Sequence, residues 1–414
     1  MRAAVLAVAL LACKYDGEFP CTQTDECRTA DNAGNCEQAG WCSLHDDTCD
    51  SGRRFDETAG DGLAKKCVAG PQGCEDWHPH FFKPCGLPAP SGNLTFNGYY
   101  KYDTTDGTLT DLVTMATIPQ PSVVIDGVRF LSVQDVTASS ASSIALVGNK
   151  PLVIAAWGSM VINGLIDASS QGDAGPGANP NGGCNAPTLG ADATATTPGG
   201  GGGGAALQGN GGNGGGGAAG ATKESMPMTI RGGCRGGNSG AAGPGAVSPA
   251  TADTHARGGM GGGALVLSSR LSLTIDGSVT AGGEGGGGSP MGAGCGGAGG
   301  GAGGMIVLEG SAIELHGTVF ATGGGGGGVA TKSGQGMKGR DGSLTGAAGG
   351  AAPTGCTGAG GAGSTAATLD GGNGGTGACG GAGGGGGSGW ILVFTQSLDM
   401  VGAMTAPMPS TNPF

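Results

Sequence analysis

MIVLEGSAIELHGTVFATG, residues 305–323, runs from an apolar piece through a polar turn into an alternating piece, a glycine and a short β-prone end. Three other stretches share the pattern: PLVIAAWGSMVINGLIDAS (151–169), ALVLSSRLSLTIDGSVTAG (264–282) and WILVFTQSLDMVGAMTAPM (390–408). They superimpose with Gly164, Gly277, Gly317 and Gly402 in register. In the alternating piece, Met160 and Ile162, then Leu271, Leu273 and Ile275, then Ile313 and Leu315, then Leu398 and Met400 recur at period two. That spacing places them on one face of a strand, as inward candidates. A repeated unit too small to bury its own apolar face is the mark of stacked turns. The fold class is therefore all-β, read as a parallel β-solenoid; a β-sandwich with disordered glycine-rich loops is the alternative. Ile275 and Leu315 are expected to stack inside, with Asp276 and His316 side by side outside. Gly317 is expected to need a positive φ or a tight corner.

Glycine is the second decisive feature. Of 98 glycines, 16 lie in residues 1–170, one in 390–414 and 81 between 171 and 389, while only 17 residues of the whole chain are Phe, Trp or Tyr. Conventional side-chain cores are accordingly thin. The glycine-rich excursions cover roughly 171–258, 283–304 and 324–389. Collagen is excluded, because the run Gly323–Gly328 breaks a strict three-residue phase. Two readings remain: flexible linkers, for which ordering each residue costs about 1–2 kcal/mol with no side chain to offset it, and a bundle of polyproline-II-like segments paired through their backbones. Cysteines favour order, since Cys184 and Cys234 fall in the first excursion, Cys295 in the second, and Cys356 and Cys379 in the third. Cys295 and Cys379 stand at similar distances before strands and are candidates to pair across neighbouring turns.

The amino terminus, MRAAVLAVALLACKYDG, is one arginine, an apolar run and a small residue before Cys13. It reads as a secretory signal over 1–12. Leu10-Leu11-Ala12-Cys13 resembles the lipobox of bacterial lipoproteins, which implies lipidation of Cys13 and attachment to the outer membrane by the lipid; plain secretion is the competing reading. No later run approaches the ~18 apolar residues of a spanning helix. An exported chain keeps disulfides, and Cys21, Cys27, Cys36, Cys42, Cys49, Cys67, Cys74 and Cys85 crowd into 65 residues. An even eight implies up to four bridges within a head spanning 13–85. No pair is closer than Cys21-x5-Cys27, wider than zinc-ligand pairs, so no metal is assigned. His78 and His80 of WHPHFF read as surface residues.

CTQTDEC, GWCSLHDDTCDSGRRF and AGDGLAKKCV, all within the head, resemble the small cysteine-rich module of secreted lipoproteins of myxobacteria and related deltaproteobacteria. In that largely uncharacterised group the module precedes a glycine-rich β region. The resemblance implies the same layout here: a head, a β-strand region over 86–170 leading into the solenoid, and a repeat region over 171–414.

A net charge of -12 with no basic patch makes nucleic acid an unexpected partner. GGNGGTG (371–377) lacks the aspartate of the calcium-binding nonapeptide, and the glycine runs precede strands where a dinucleotide loop must follow one. No cofactor is implied. The best polar cluster is the outward row of the repeat, with Thr274, Glu314 and Asp399 in one column and Asp276 and His316 in the next. The expected function is a cell-surface or extracellular-matrix structural and adhesive lipoprotein without catalysis. The alternative is a protein that binds or degrades extracellular polysaccharide through the outer face of a β-helix.

Overall fold

The computed structural model describes residues 18–27, 34–37, 39–46, 48–49, 51–68, 74–170, 175–177, 184–185, 187–194, 197–241, 255–290, 296–331 and 334–412. Residues 1–12, expected to be a secretory signal, Cys13 and Cys295 lie outside the described residues. The chain divides into two units, residues 1–78 with 83–88, and residues 79–82 with 89–414.

The first unit is small and disulfide-bonded. Strands β1 (Asn35–Cys36), β2 (Cys42–His45) and β3 (Arg53–Phe55) form an antiparallel sheet. Cys21–Cys36, Cys27–Cys42, Cys49–Cys67 and Cys74–Cys85 are bonded, so all eight head cysteines pair among themselves. Three of these bonds wrap the sheet, whose own apolar cluster is only Trp41, Phe55 and Ala59 with Leu63 and Val68 against it. Each bridge contributes about 2–4 kcal/mol by restricting the unfolded chain, which suits a core this thin.

The second unit is the solenoid. It opens with β4 (Leu94–Phe96) and β5 (Tyr99–Asp103), followed by a hairpin of β6 (Thr108–Asp111) and β7 (Thr117–Pro119) and by β8 (Val123–Ile125), antiparallel to β9. Three-strand turns follow. They are β9 (Val128–Val133), β10 (Val136–Ala138) and β11 (Ser143–Val147), then β12 (Leu152–Ala156), β13 (Met160–Ile162) and β14 (Leu165–Asp167). The next turn is β15 (Ala264–Ser269), β16 (Ser272–Ile275) and β17 (Ser278–Thr280). In the last two turns one long strand spans two faces: β18 (Met305–Leu315) with β19 (Thr318–Phe320), and β22 (Trp390–Asp399) with β23 (Met404–Ala406). A short hairpin, β20 (Thr376–Gly377) and β21 (Gly380–Gly381), lies among the glycines, and β24 (Ser410–Asn412) starts one more turn on β22.

Every strand pair between successive turns is parallel and in register. On the first face Leu131, Ile154, Leu267, Leu308 and Val393 form one inward column, each 2% exposed or less. On the second face Ile275 pairs with Leu315, both fully buried, as the alternation predicts. Each such side chain is worth about 1.5–3 kcal/mol relative to exposure.

Two sequence expectations are corrected, the inward Leu271 and the alignment of Gly402. Leu271 is not inward; it is 55% exposed, because β16 begins at Ser272 and Leu271 belongs to the corner. β18 passes that corner with one residue fewer, so the register moves from Ser268↔Glu309 to Ser272↔Ala312. Gly402 lies one position out of line with Gly317, since Glu314↔Asp399 is followed by Thr318↔Met404. Gly402 holds φ +82, whereas Gly317 does not occupy the left-handed region. Gly317 is glycine because a Cβ there would collide with the carbonyl oxygen of Gly277 in the turn below.

The described segments of the glycine excursions are paired through their backbones. Each leaves after a third-face strand and returns at a first-face strand, so all three gather along the same corner of the solenoid. In 199–207, Gly201 and Gly204 donate to Gly215 and Gly212 (both 2.8 Å), while Gly202 and Ala205 donate to Gly297 and Gly300 (2.9 and 3.0 Å). Residues three apart address the same neighbour, which is the period of polyproline II. Segment 296–304 is surrounded on six sides. Gly297, Ala298 and Gly299 donate to Gly381, Gly287 and Gly237, and the same three residues accept from Gly202, Gly327 and Gly259. A Cβ on Gly299, Gly300 or Gly301 would strike a neighbouring carbonyl oxygen, so only bare backbone allows this spacing. Two disulfides, Cys184–Cys234 and Cys356–Cys379, tie the bundle. Cys379 therefore pairs within its own excursion and not with Cys295.

Candidate functional site

The outward row of the second face and its corner is the polar cluster read from the repeat. Register places Thr274, Glu314 and Asp399 side by side on β16, β18 and β22. Thr274 Oγ1 donates to Glu314 Oε2 at 3.2 Å. Two residues further along, His316 Nδ1 lies 3.0 Å from Asp276 Oδ1, and its Nε2 lies 3.7 Å from Asp399 Oδ2. The hydrogen bond to Asp276, helped by the charge of Asp399, raises the imidazole pKa above the ordinary histidine value. All three side chains are substantially exposed, so this is a solvated polar surface bridging three turns. Chemically it offers carboxylates and a hydroxyl to a polar ligand lying across the strands.

A second polar constellation was not legible as a site. Glu309 occupies an outward position on the first face, in a register column with Ala155, Ser268 and Phe394. It is fully buried, because residues 79–82 lie over it. The His80 backbone N–H donates to Glu309 Oε1 at 2.8 Å, and the His80 ring stacks on Phe394 with centroids 4.4 Å apart. Phe81 meets Phe394 edge-on and Phe82 meets Phe130. Glu309 Oε2 has no regular hydrogen bond; the nearby Ser268 hydroxyl stands close without closing one. Burial pushes this carboxyl up to about 7, and the Ser268 hydroxyl and His80 N–H only partly counter it. The signal available in sequence was the lone acid in the apolar run MIVLEG. His80 was read as a plain surface residue; its ring is exposed, yet it clamps Phe394.

Two further groups belong to the glycine bundle. Lys338 Nζ pairs with Glu284 Oε1 at 2.8 Å and Asp341 Oδ1 at 3.4 Å, beside an open groove of about 630 Å³ lined also by Arg340, Ser343 and Thr345. At the bundle's edge, side chains replace missing neighbours. Asp370 Oδ1 accepts from Asn210 N (2.7 Å), Asn373 Oδ1 from Asn213 N (2.8 Å), and Asp192 Oδ1 from Ala241 N (2.7 Å). Asn210 and Asn213, like Asp370 and Asn373, are three apart, so GGNGGTG is an edge of the lattice in which Asn373 seals an exposed backbone N–H. Around Cys184–Cys234, Arg231 Nη1 pairs with Glu224 Oε2 at 2.9 Å, both largely buried.

No family model, no curated protein and no solved structure matches the chain. Among the described residues no helix is long and apolar enough to cross a membrane.

Proposed function

We propose that this chain is a structural and adhesive protein of the bacterial cell surface or extracellular matrix, held to the outer membrane by a lipid on Cys13. The observation that carries this reading is the glycine lattice. Close-packed backbones whose N–H and C=O groups are matched on up to six sides, crossed by disulfides and backed by a solenoid core, make a stiff slab with few side chains for proteases or ligands to grip. The six disulfides of the described residues support an oxidising, exported address. The resemblance of the head to secreted lipoproteins supports the same address. Proteinase K digestion of the unreduced protein, together with antibody labelling of intact cells, tests the reading. Residues 199–389 should survive and the label should bind; rapid digestion of that region, or label only after lysis, would overturn it.

One observation favours a second reading, a polysaccharide-binding surface. The row of Thr274, Glu314, Asp399, Asp276 and His316 presents polar groups at successive turns, spaced as parallel strands are. Retention on immobilised bacterial and algal polysaccharides, lost in Glu314→Ala and His316→Ala variants, would favour it over the first.

A further inference from the structure

The hairpin β6–β7 carries an apolar tip that neither reading uses. Its loop, Asp111 to Ala116, presents Leu112, Val113 and Met115, with Val113 74% and Met115 70% exposed, and Ile118 follows on β7. Every residue from Leu112 to Pro119 is exposed, and no charged residue occurs between Leu112 and Ile125.

We infer that this hairpin tip inserts into the headgroup–acyl boundary of a zwitterionic lipid bilayer. Three features favour lipid as the occupant. First, local hydrogen bonds hold the turn. Asp111 N donates to Ala116 O (2.9 Å), Leu112 N to Tyr99 O (2.8 Å), and Asp111 Oδ1 accepts from Val113 N (2.8 Å) and Thr114 N (3.0 Å). Entry into lipid favours backbone groups satisfied within the chain, as these N–H groups of the turn are, while β7 behind the turn remains the open edge of its sheet. Second, the apolar side chains sit on a convex loop, where Met115 holds the left-handed φ of 57. A conformation that disfavours non-glycine residues is retained where it aims a side chain. Third, the next level back has the amphipathic pattern of a membrane boundary. Tyr99, 57% exposed, is bonded to Leu112, and exposed Lys101 sits in register with Thr110 at the base of the tip. An aromatic ring with a polar end and a lysine reaching toward phosphate are the usual anchors at that depth.

This contact goes beyond the proposed lipid anchor and does not depend on it, so it is tested in the full chain carrying Cys13→Ser. Phosphatidylcholine vesicles are the probe and co-flotation the readout. All proteins share the same amino terminus, so the apolar run at 3–12 contributes equally. The double variant Val113→Asp/Met115→Asp should partition at least about tenfold less, since it puts charge where apolar area is buried. Val401→Asp, at an exposed residue on the other end of the solenoid, should partition like the parent. Val113→Trp should partition more tightly, with a blue-shifted added emission on vesicles. Equal partitioning of parent and double variant would overturn the inference. So would loss of concentration-dependent self-association in the double variant with vesicle partitioning unchanged, which would assign the tip to a second copy of the chain.

Discussion

Raising the pH from 4.5 to 8 should weaken the solenoid through one carboxyl, Glu309. In the folded chain burial holds its pKa at about 7, against 4.5 for the free side chain. At low pH it is protonated in both states and costs nothing. Between the two values the unfolded chain releases a proton that the folded chain keeps, so stability falls as pH rises, reaching its lower level above pH 7. The gap of about 2.5 pKa units at about 1.4 kcal/mol each corresponds to a loss of about 3 kcal/mol. The groups packed against Glu309 are the Ser268 hydroxyl from β15, Phe394 from β22 and His80 from residues 79–82. Glu309→Gln keeps an oxygen for the His80 N–H and removes the titration while leaving His80 in place. Urea unfolding of parent and variant, followed by the fluorescence of Trp157 and Trp390 at pH 4.5, 6 and 8, isolates the difference. The gap between the two curves should shift by about 3 kcal/mol in the variant's favour across that range. Parallel pH profiles would refute the reasoning, because Glu309 would then ionise in the folded chain without cost.

Further outcomes test the stacked turns, the glycine bundle, the disulfides and the amino terminus. Leu315→Asp buries an unpaired charge in a fully closed column and should cost several kcal/mol, while exposed His316→Ala should change stability by about 0.5 kcal/mol or less in thermal melts. Gly317→Val, whose Cβ meets the Gly277 carbonyl, should fall with Leu315→Asp; similar melting temperatures for all three would mean the stacked turns are wrong. Gly300→Val, at the six-neighbour segment 296–304, should render the glycine region sensitive to thermolysin, and unchanged digestion would deny the lattice. Cys184→Ser/Cys234→Ser should lose about 2–4 kcal/mol by chemical denaturation. Thiol counting on the native protein should find no free thiol among Cys21 to Cys85, and mass spectrometry of the mature protein should place Cys13 at a lipidated amino terminus; an unmodified, longer amino terminus would refute the lipoprotein reading.

The sequence by itself determined the all-β class and the repeated turn, and it favoured the solenoid over a sandwich. Period two in LTI and IEL, repeated at a near-constant position before a glycine, can bury its apolar side only against another copy, and Ile275 on Leu315 is that burial. It also brought together Asp276 and His316, because residues equivalent in consecutive parallel turns must be neighbours. Even counting of the head cysteines was enough to close that unit on itself. What periodicity could not set was the corner. Whether Leu271 turns in or out, and whether Gly317 and Gly402 align, depends on single-residue differences in corner length that leave the strand pattern unchanged.

Only the tertiary structure decided the glycine excursions and Glu309. A glycine run has no side chains to announce a neighbour, and the same run is a flexible linker alone and a lattice element among six others. Its order comes from partners as distant in sequence as Gly202 and Gly384, whose backbones meet at 2.9 Å. Asp370 and Asn373 gain their role the same way, as the last hydrogen-bond acceptors at an edge that exists only once the excursions are gathered. Glu309 reads in sequence as one acid on the outer side of a strand, where water would keep it charged. Residues 79–82 cover it from more than two hundred positions away, and that burial, which no local pattern encodes, makes an ordinary glutamate the most perturbed carboxyl of the solenoid core.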